Sequence, residues 1–457
     1  MERASAILST DWLASKPLFY HEKSGAVSHN IWEVIDFGSF DFHPEGLARY
    51  LEYGYSVFEQ TPVRHVRFLP PNARFHITEA GSVRIEQLAD PVIDRLHTPS
   101  QVSDVIASMK ASVEQWEASS ALPLLLPLSG GLDSRFLLWL LNDKSRVRAF
   151  TYGGAPRQNH SHEVVMAKAL AVITGISWQH VELGLFHRFL EPWIDLFGPA
   201  THAHGMYQME FYNQISHQLP SGTPLLSGII GDAWAGSVVI PPIDHPSSLP
   251  LLGYSHGMHA DPSRLLLRHN GELAEAHFCN EREKLRDPLY RVVAAMRYKM
   301  MLLRYLLEVP RSMGYLPWTP FLDSTTALLM LNLPASLRAD RKWQRDLFTR
   351  EGLALEKLTL PFSRANTLNA QALKKMAPPG LRTDLLREIV HPAYVDWINR
   401  TLAADSRLFS LYHRALSTPR VKGVMKYMGC RNYQSEAYAA YLTLKPLEQL
   451  IEKRNRA

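Results

Sequence analysis

One stretch constrains the fold of this chain more than any other: residues 124–140, LLLPLSGGLDSRFLLWL. The apolar run at 122–128 predicts a buried parallel strand. It breaks into Ser129-Gly130-Gly131-Leu132-Asp133-Ser134 and resumes with helical spacing at Phe136, Leu137, Trp139, Leu140 and Leu141. Strand, glycine turn and helix start together make an anion pocket. Two glycines let the backbone approach an oxyanion without a Cβ in the way. The free N–H groups of the first helical turn, with the helix dipole behind them, favour phosphate. Ser129 and Ser134 add hydroxyl donors, and Asp133 makes sense beside a phosphate if it holds Mg²⁺, which takes hard oxygen ligands. A Walker loop is excluded, because that needs a Lys-Ser/Thr pair after a longer glycine loop.

The pattern SGG-x-DS resembles the PP-loop of ATP pyrophosphatases, enzymes that split ATP into AMP and pyrophosphate. The resemblance implies ATP as ligand and Mg²⁺ as its companion.

At 457 residues the chain exceeds one ordinary domain. Hydrophobic residues at 46% and charged residues at 20% describe a globular protein with a large core. A net charge of +5 without a lysine/arginine block gives no indication of a nucleic-acid partner. Cys279 and Cys430 form neither a disulfide framework nor a metal knuckle, and fit a reducing compartment. The N-terminus lacks an apolar signal core, and no run approaches the ~18 apolar residues of a membrane helix. The expectation is a soluble, cytoplasmic protein without a membrane partner.

Residues 1–96 read as β-rich with one helix. Residues 44–53 have helical spacing, with Leu47, Tyr50 and Leu51 on one side; 63–77 and 83–88 read as short strands around Pro70-Pro71. Here the resemblance narrows to the asparagine synthetase-like amidotransferases. DWLASKPLFY (11–20) is similar to their "DPLGxRPLYY", and LARYLEYGY (47–55) to "YLxxGY". Thr61-Pro62 followed by VRFLPPNARF (66–75) is similar to "T…I…LPPGH". The resemblance implies that 1–96 is a truncated, β-rich glutaminase domain of the N-terminal-nucleophile kind. In the family the nucleophile is a cysteine after the initiator methionine; here Glu2 follows Met1, and no cysteine precedes Cys279. A thiolate is needed to attack the glutamine amide, so glutamine hydrolysis is not expected. A mis-assigned start codon is the alternative account.

Residues 97–457 would then be the ATP-binding synthetase domain. Residues 97–118 read as a linker and amphipathic helix, 148–154 and 180–183 as further strands, and 161–174 as a helix. Such strand–helix–strand units imply an α/β fold with a parallel sheet and right-handed crossovers, with ligands at the carboxyl ends of the strands. A second glycine-and-aspartate stretch, PLLSGIIGDAWAGS (224–237), resembles the family's "LSGEGADELFGGY", with Leu226, Ser227, Gly228, Asp232 and Gly236 matching. The resemblance implies that Asp232 and Asp133 hold Mg²⁺ on the pyrophosphate. Leu128, Ser129, Gly130, Gly131, Asp133 and Ser134 would cradle ATP, and Ser227, Gly228 and Tyr152 (in RAFTYGG, similar to "FTxGF") would flank the nucleotide.

Several departures stand out. Ile229 replaces a glutamate and Ala233 an acidic residue. The apolar segment 302–334 reads as helical and contains PFLD (320–323), with Leu316 and Trp318 where the family has glutamate and arginine. RKWQRDLFTR (341–350) resembles a family helix that packs on the site. The family's "RPKxGF" lysine is matched only loosely: Thr359 falls at its position, Lys357 is the expected catalytic cation after a local shift, and Arg364 is next in line. Leaving pyrophosphate needs such a positive group. His202 and His204 are candidates for proton transfer, and Glu191 and Asp195 stand i, i+4 on a helix. No HExxH or Cys-His spacing supports zinc.

The expected function is an ATP-dependent ligase that adenylates a substrate carboxylate and transfers it to an amine or ammonia. Relatives with such acceptors include β-lactam synthetases, lasso-peptide cyclases and sugar-amidating enzymes, and a partner protein delivering the substrate fits the same picture. Two competing readings are a degenerate ATP-binding scaffold that partners an active synthetase, and a PP-loop enzyme that modifies tRNA. The modest charge and scattered cysteines weigh against the last.

Overall fold

The computed structural model describes residues 8–77, 82–253, 257–403 and 431–457. Its N-terminal segment forms two three-stranded antiparallel sheets. Strands β1 (Leu8–Ser9), β5 (Ala73–Ile77) and β6 (Val83–Gln87) make one; β3 (Val27–Ser28), β2 (Phe19–His21) and β4 (Val66–Phe68) make the other. Between them runs helix Pro44–Tyr53. Proline opens its first turn, the His43 ring accepts from the Gly46 N–H at 2.8 Å, and Gly54 ends it at φ 77°. The helix buries Leu47, Tyr50 and Leu51, as their spacing predicts.

This segment keeps only a small core of its own, around Leu18, Tyr20, Leu69, Ala73 and Phe75, and shares the rest. The Tyr50 hydroxyl donates to the Thr443 carbonyl at 3.0 Å, and the Trp12 indole to that of Leu322 at 2.7 Å. One continuous apolar core runs from Trp12 through Leu125 and Phe321 to Tyr441.

The rest is α/β, built on a five-stranded parallel sheet of β7 (Leu124–Pro127), β8 (Val147–Thr151), β9 (Ser177–His180), β10 (Pro224–Leu226) and β11 (Leu316–Trp318). The order across the sheet is β11-β10-β7-β8-β9. β7 is central, and Leu124, Leu125 and Leu126 are at most 1% exposed, as a strand covered on both faces requires. Helices Leu132–Leu140 and His162–Thr174 carry the chain from β7 to β8 to β9. It then returns through helices Leu190–Phe197 and Met206–Ile215 and lays β10 on the opposite side of β7. The direction of winding therefore reverses between β7 and β10, and connections leaving those two carboxyl ends diverge and open a crevice.

Two sequence expectations need correction. The third strand lies at 177–180 and not at 180–183: β9 is a half-exposed edge strand, so its polar residues gave no apolar run, while Val181 and Leu183 are buried just past its end. Nor is 302–334 helical throughout. Helix Tyr305–Ser312 stops, Gly314 turns the chain at φ 89°, and Leu316–Trp318 pairs with β10 as the other edge strand. Trp318 stacks on Trp116 (centroids 5.4 Å apart) and Leu316 is 58% exposed. Among the described residues no helix is long and apolar enough to cross a membrane.

The final helix, Tyr433–Arg456, is tied to the sheet side by the buried His187, whose Nδ1 lies 2.6 Å from the Met376 carbonyl and whose Nε2 lies 2.7 Å from the Tyr438 hydroxyl. That geometry suits a neutral ring donating from Nδ1. Burial pushes its pKa down to about 4. The unfolded chain takes up this proton near pH 6.5 and the folded chain only near 4, so the contribution is intact above 6.5 and lost on descending between the two. The urea midpoint should fall across that window, and the fall should be smaller in His187→Asn; an unchanged slope would dismiss His187 as its source.

Candidate functional site

The turn after β7 is held from beneath. Gly130 sits at φ 68°, and a Cβ there would lie 2.5 Å from Met166 Cβ, so only glycine fits. Arg135, 2% exposed, donates to the Gly130 carbonyl at 2.8 Å and to that of Leu353 at 3.0 Å. It also takes both Glu356 oxygens at 3.0 and 2.9 Å. Above this support the Gly131 N–H reaches Ser129 Oγ at 3.2 Å, and helix Leu132–Leu140 begins with no side-chain cap. Its first N–H groups are therefore left for a ligand.

The turn after β10 approaches it closely. Ile230 adopts φ 54°, a conformation that costs a β-branched residue about 1–2 kcal/mol. It delivers the short helix Gly231–Ala235, which carries Asp232. A Cβ on Gly231 would lie 2.7 Å from the Phe321 ring and 3.0 Å from Asp133 Oδ1, so the two acidic turns meet here. The Trp234 indole donates to the Phe321 carbonyl at 3.0 Å and that of Trp343 to Ala235 at 3.2 Å, fixing the short helix in place.

A cavity of about 770 Å³ opens over both turns at the switch point. Leu128, Ser129, Gly131, Asp133, Ser134, Tyr152, Ser227, Gly228 and Asp232 all stand on its wall, with Gly130 just beneath. Burial pushes the Asp133 carboxyl up to about 6; Arg341 opposes that shift and the neighbouring Asp232 carboxylate adds to it. Arg341 donates directly to Asp133 Oδ1 and is braced by Gln344 Oε1 at 2.7 Å. It follows Asp340 in two successive left-handed residues, φ 49° and 55°. Lys299, on helix Pro288–Leu303, is the other buried-side cation. Burial holds its ammonium below the usual lysine range, while Asp232 works the other way.

Lys357 is not part of this arrangement. It is the exposed last residue of the turn Leu355–Lys357, off the cavity wall, next to the Glu356 that supports Arg135. The cations on the wall are Lys299, Arg341 and Arg364. Of the two cations expected from the local match, Arg364 stands on the wall and Lys357 does not. Lys299 stands in a helix whose pattern otherwise reads as core. Glu191 is exposed and, like Asp195, lies off the cavity wall; Asp195 faces Lys453 at 3.6 Å. His204 is on the wall, with His202 buried behind it and accepting the His204 N–H at 3.2 Å. Cys430 lies outside the described residues, and Cys279 is exposed.

Of the far wall, motif reading picked out only Arg364. Residues 363–371 clasp the loop after β8: Ser363 pairs with Ser161, and the Thr367 N–H donates to Gly154 at 2.7 Å. This brings Arg364, Asn366 and Asn369 over the crevice. The remaining wall is aromatic and aliphatic, with Tyr207, Phe211, Tyr212, Ile229 and Leu306. Tyr152 is positioned by Gln208 Nε2, which donates to its hydroxyl at 3.0 Å.

No protein-family model matches the chain, and no curated protein is detectably similar to it.

Gly130→Ala should cost roughly 2–4 kcal/mol, from the left-handed backbone and the overlap with Met166. Gly131→Ala, whose new Cβ meets only Ser129 Oγ at 3.1 Å, should cost under about 1 kcal/mol. Equal losses in urea denaturation would refute the assigned tightness of the turn.

Proposed function

We propose that this chain is an ATP-dependent, AMP-forming carbon–nitrogen ligase of the asparagine synthetase-like kind, with a PP-loop at 129–134. The observation that carries the reading is the pairing of two glycine-and-aspartate turns, after β7 and β10, over one cavity at the switch point of a parallel sheet. Ser129, Gly131, Ser134 and the first-turn N–H groups bind the β,γ-phosphates, and Ser227, Gly228 and Tyr152 flank the adenosine. A substrate carboxylate oxygen attacks the α-phosphorus, and the bond to pyrophosphate breaks. An amine nitrogen then attacks the acyl carbon, AMP leaves with the C–O electrons, and the nitrogen gives up a proton. His204 is the imidazole on the cavity wall.

Asp133 and Asp232 suit a divalent cation. They are two hard oxygen donors on adjacent turns, and the partly buried Asp133, with the Asp232 carboxylate beside it, already draws in Arg341. When bound, Mg²⁺ would supply charge neutralisation on the departing pyrophosphate. The chain's own contribution to that neutralisation is Lys299, with Arg341 and Arg364 beside it. Ile229 on the wall can neither move a proton nor hold an ammonium, and the aromatic surroundings favour a carboxylate or amine substrate with an apolar body.

The scaffold reading draws support from one observation: Arg341 pairs with Asp133, so a cation would have to displace or join it. The two readings separate in one assay. Purified protein with Mg²⁺, ATP and pools of amino acids, peptides and sugar acids should release AMP and pyrophosphate in a substrate-dependent way, and Asp133→Asn should abolish this. ATP binding without turnover on any pool would favour the scaffold, and no nucleotide binding would overturn both.

Lys299→Met should lower kcat roughly 10²–10³-fold with little change in ATP affinity, the loss typical of one transition-state charge stabiliser. Lys357→Met should leave kcat within about twofold on the same reasoning. The reverse pattern would restore Lys357 as the catalytic cation.

A further inference from the structure

A second cavity, of about 320 Å³, lies between helix Pro288–Leu303 and the N-terminal segment. The helix serves both spaces. Met296, Lys299 and Leu303 line the first cavity, whereas Ala294, Arg297, Tyr298 and Met301 line the second. These are the two faces that a 3.6-residue period separates. Adenylation and acyl transfer make no use of the second space.

Its charged groups are unequally satisfied. Asp90 takes Arg297 in a two-point ion pair at 2.7 and 2.8 Å. Glu281 accepts from Lys284 at 2.8 Å and from the Tyr290 hydroxyl at 2.7 Å. Glu59, on the same wall, has no hydrogen bond or ion pair to its carboxylate among the described residues. Arg67, the cation whose charge reaches it, is engaged by Glu22 at 3.2 Å. Burial pushes the Glu59 carboxyl up to about 7. Ser56 lines the same cavity, is 1% exposed, and its hydroxyl has no partner. A buried hydroxyl without a partner is uncommon and marks a place where a ligand can supply one.

The backbone is set for this arrangement. Phe58 and Glu59 both adopt φ 56°, a strained conformation in residues other than glycine, of the sort that clusters at ligand clamps. The Phe58 ring lies against His277, with centroids 4.5 Å apart, and edge-on to Tyr298 at 5.6 Å, giving an aromatic wall beside the carboxylate. Phe68, Leu69, Leu88 and Met301 complete the lining with apolar surface.

We propose that this second cavity binds a primary amine with an apolar body, its ammonium held by Glu59 and Ser56 against the aromatic wall of Phe58 and Tyr298. An ammonium has three donors, enough for the carboxylate and the hydroxyl, and its charge is favoured near aromatic faces. An anion would meet the unpaired Glu59 carboxylate, Asp90 and Glu281 being already engaged by Arg297 and Lys284, and a neutral ligand would leave Glu59 without a counter-charge. A hard metal ion would find only one uncommitted carboxylate among apolar walls.

The test is calorimetric titration of the full chain with 2-phenylethylamine, 2-phenylethanol and 3-phenylpropionate. The amine should bind saturably at one site, and the alcohol and acid at least about tenfold more weakly, for want of the charge-assisted contact. Glu59→Gln should remove the preference for the amine over the alcohol, and Ser56→Ala should weaken amine binding a few-fold. Glu59→Asp, which keeps the charge, should retain the preference, so that a folding defect in the glutamine variant is told apart from loss of the site. Asp133→Asn should bind the amine as the unsubstituted chain does. The proposal is overturned by absence of saturable amine binding, by equal affinity for the alcohol, by indifference to Glu59→Gln, or by loss of binding in Asp133→Asn, which would place the amine in the first cavity.

Discussion

Two carboxylates are brought together where the sheet reverses its winding, and much else in the structure serves that meeting. Asp133 and Asp232 sit on turns that leave neighbouring parallel strands in opposite directions, and Gly231 allows those turns to approach within contact of each other. Placing a second carboxylate beside the partly buried Asp133 is unfavourable unless a cation accompanies them. Arg341 fills that role, at the cost of two consecutive left-handed residues, and Lys299 approaches Asp232 from a different helix. The chain accepts strain at 340–341 and at Ile230 to hold this geometry, and it braces the opposite side with Arg135 beneath Gly130. Strain of this kind persists only where the surrounding packing over-determines it.

The parts of this arrangement legible in the sequence were those written in short, contiguous text. SGGLDS after an apolar run marks both the strand and the turn, because the strand, the glycines and the helix start each leave a local signature. The same holds for PLLSGIIGD, and helix 44–53 announces itself by proline at its start and glycine at its end. What was missed depends on long-range placement. β9 and β11 are edge strands, so neither carries the buried-run signature of β7. Lys299 lies on a helix whose pattern reads as core, and Arg341 in the left-handed turn before helix Lys342–Arg350, and tertiary packing brings both to the acidic turns. Lys357 matches the family pattern only after a local shift along the sequence, and the fold places it at the exposed end of the turn that supports Arg135. Strained residues such as Ile230 and Glu59 leave no trace in composition at all, because a left-handed isoleucine or glutamate is selected by its surroundings and not by its own preference.

The N-terminal segment has a physical role whatever its ancestry. Its core is continuous with that of the parallel-sheet unit, Trp12 and Tyr50 are hydrogen-bonded to carbonyls hundreds of residues away, and Arg297 donates both to the Trp12 carbonyl and to Asp90. Removing it would expose the apolar face of helix Pro288–Leu303 and strand Arg297, a partly buried cation, without its carboxylate. The segment is thus part of the support for the helix that carries Lys299 to the first cavity.

That helix makes the two cavities mechanically neighbours. Arg297 and Lys299 are separated by one residue and point to opposite spaces, one fixed by a two-point ion pair to Asp90 and the other reaching toward Asp232. A close-packed helix shifts as a body and does not bend residue by residue. An occupant that shifted this helix as a body toward Glu59 would carry Met296, Lys299 and Leu303 with it, away from or toward the acidic turns. Coupling between sites is reciprocal in free energy, so any effect of a ligand in one cavity on affinity in the other would be matched by an equal effect in reverse. The ion pair between Arg297 and Asp90 sets the size of that effect: the more firmly it fixes the helix, the smaller the displacement that either ligand can transmit.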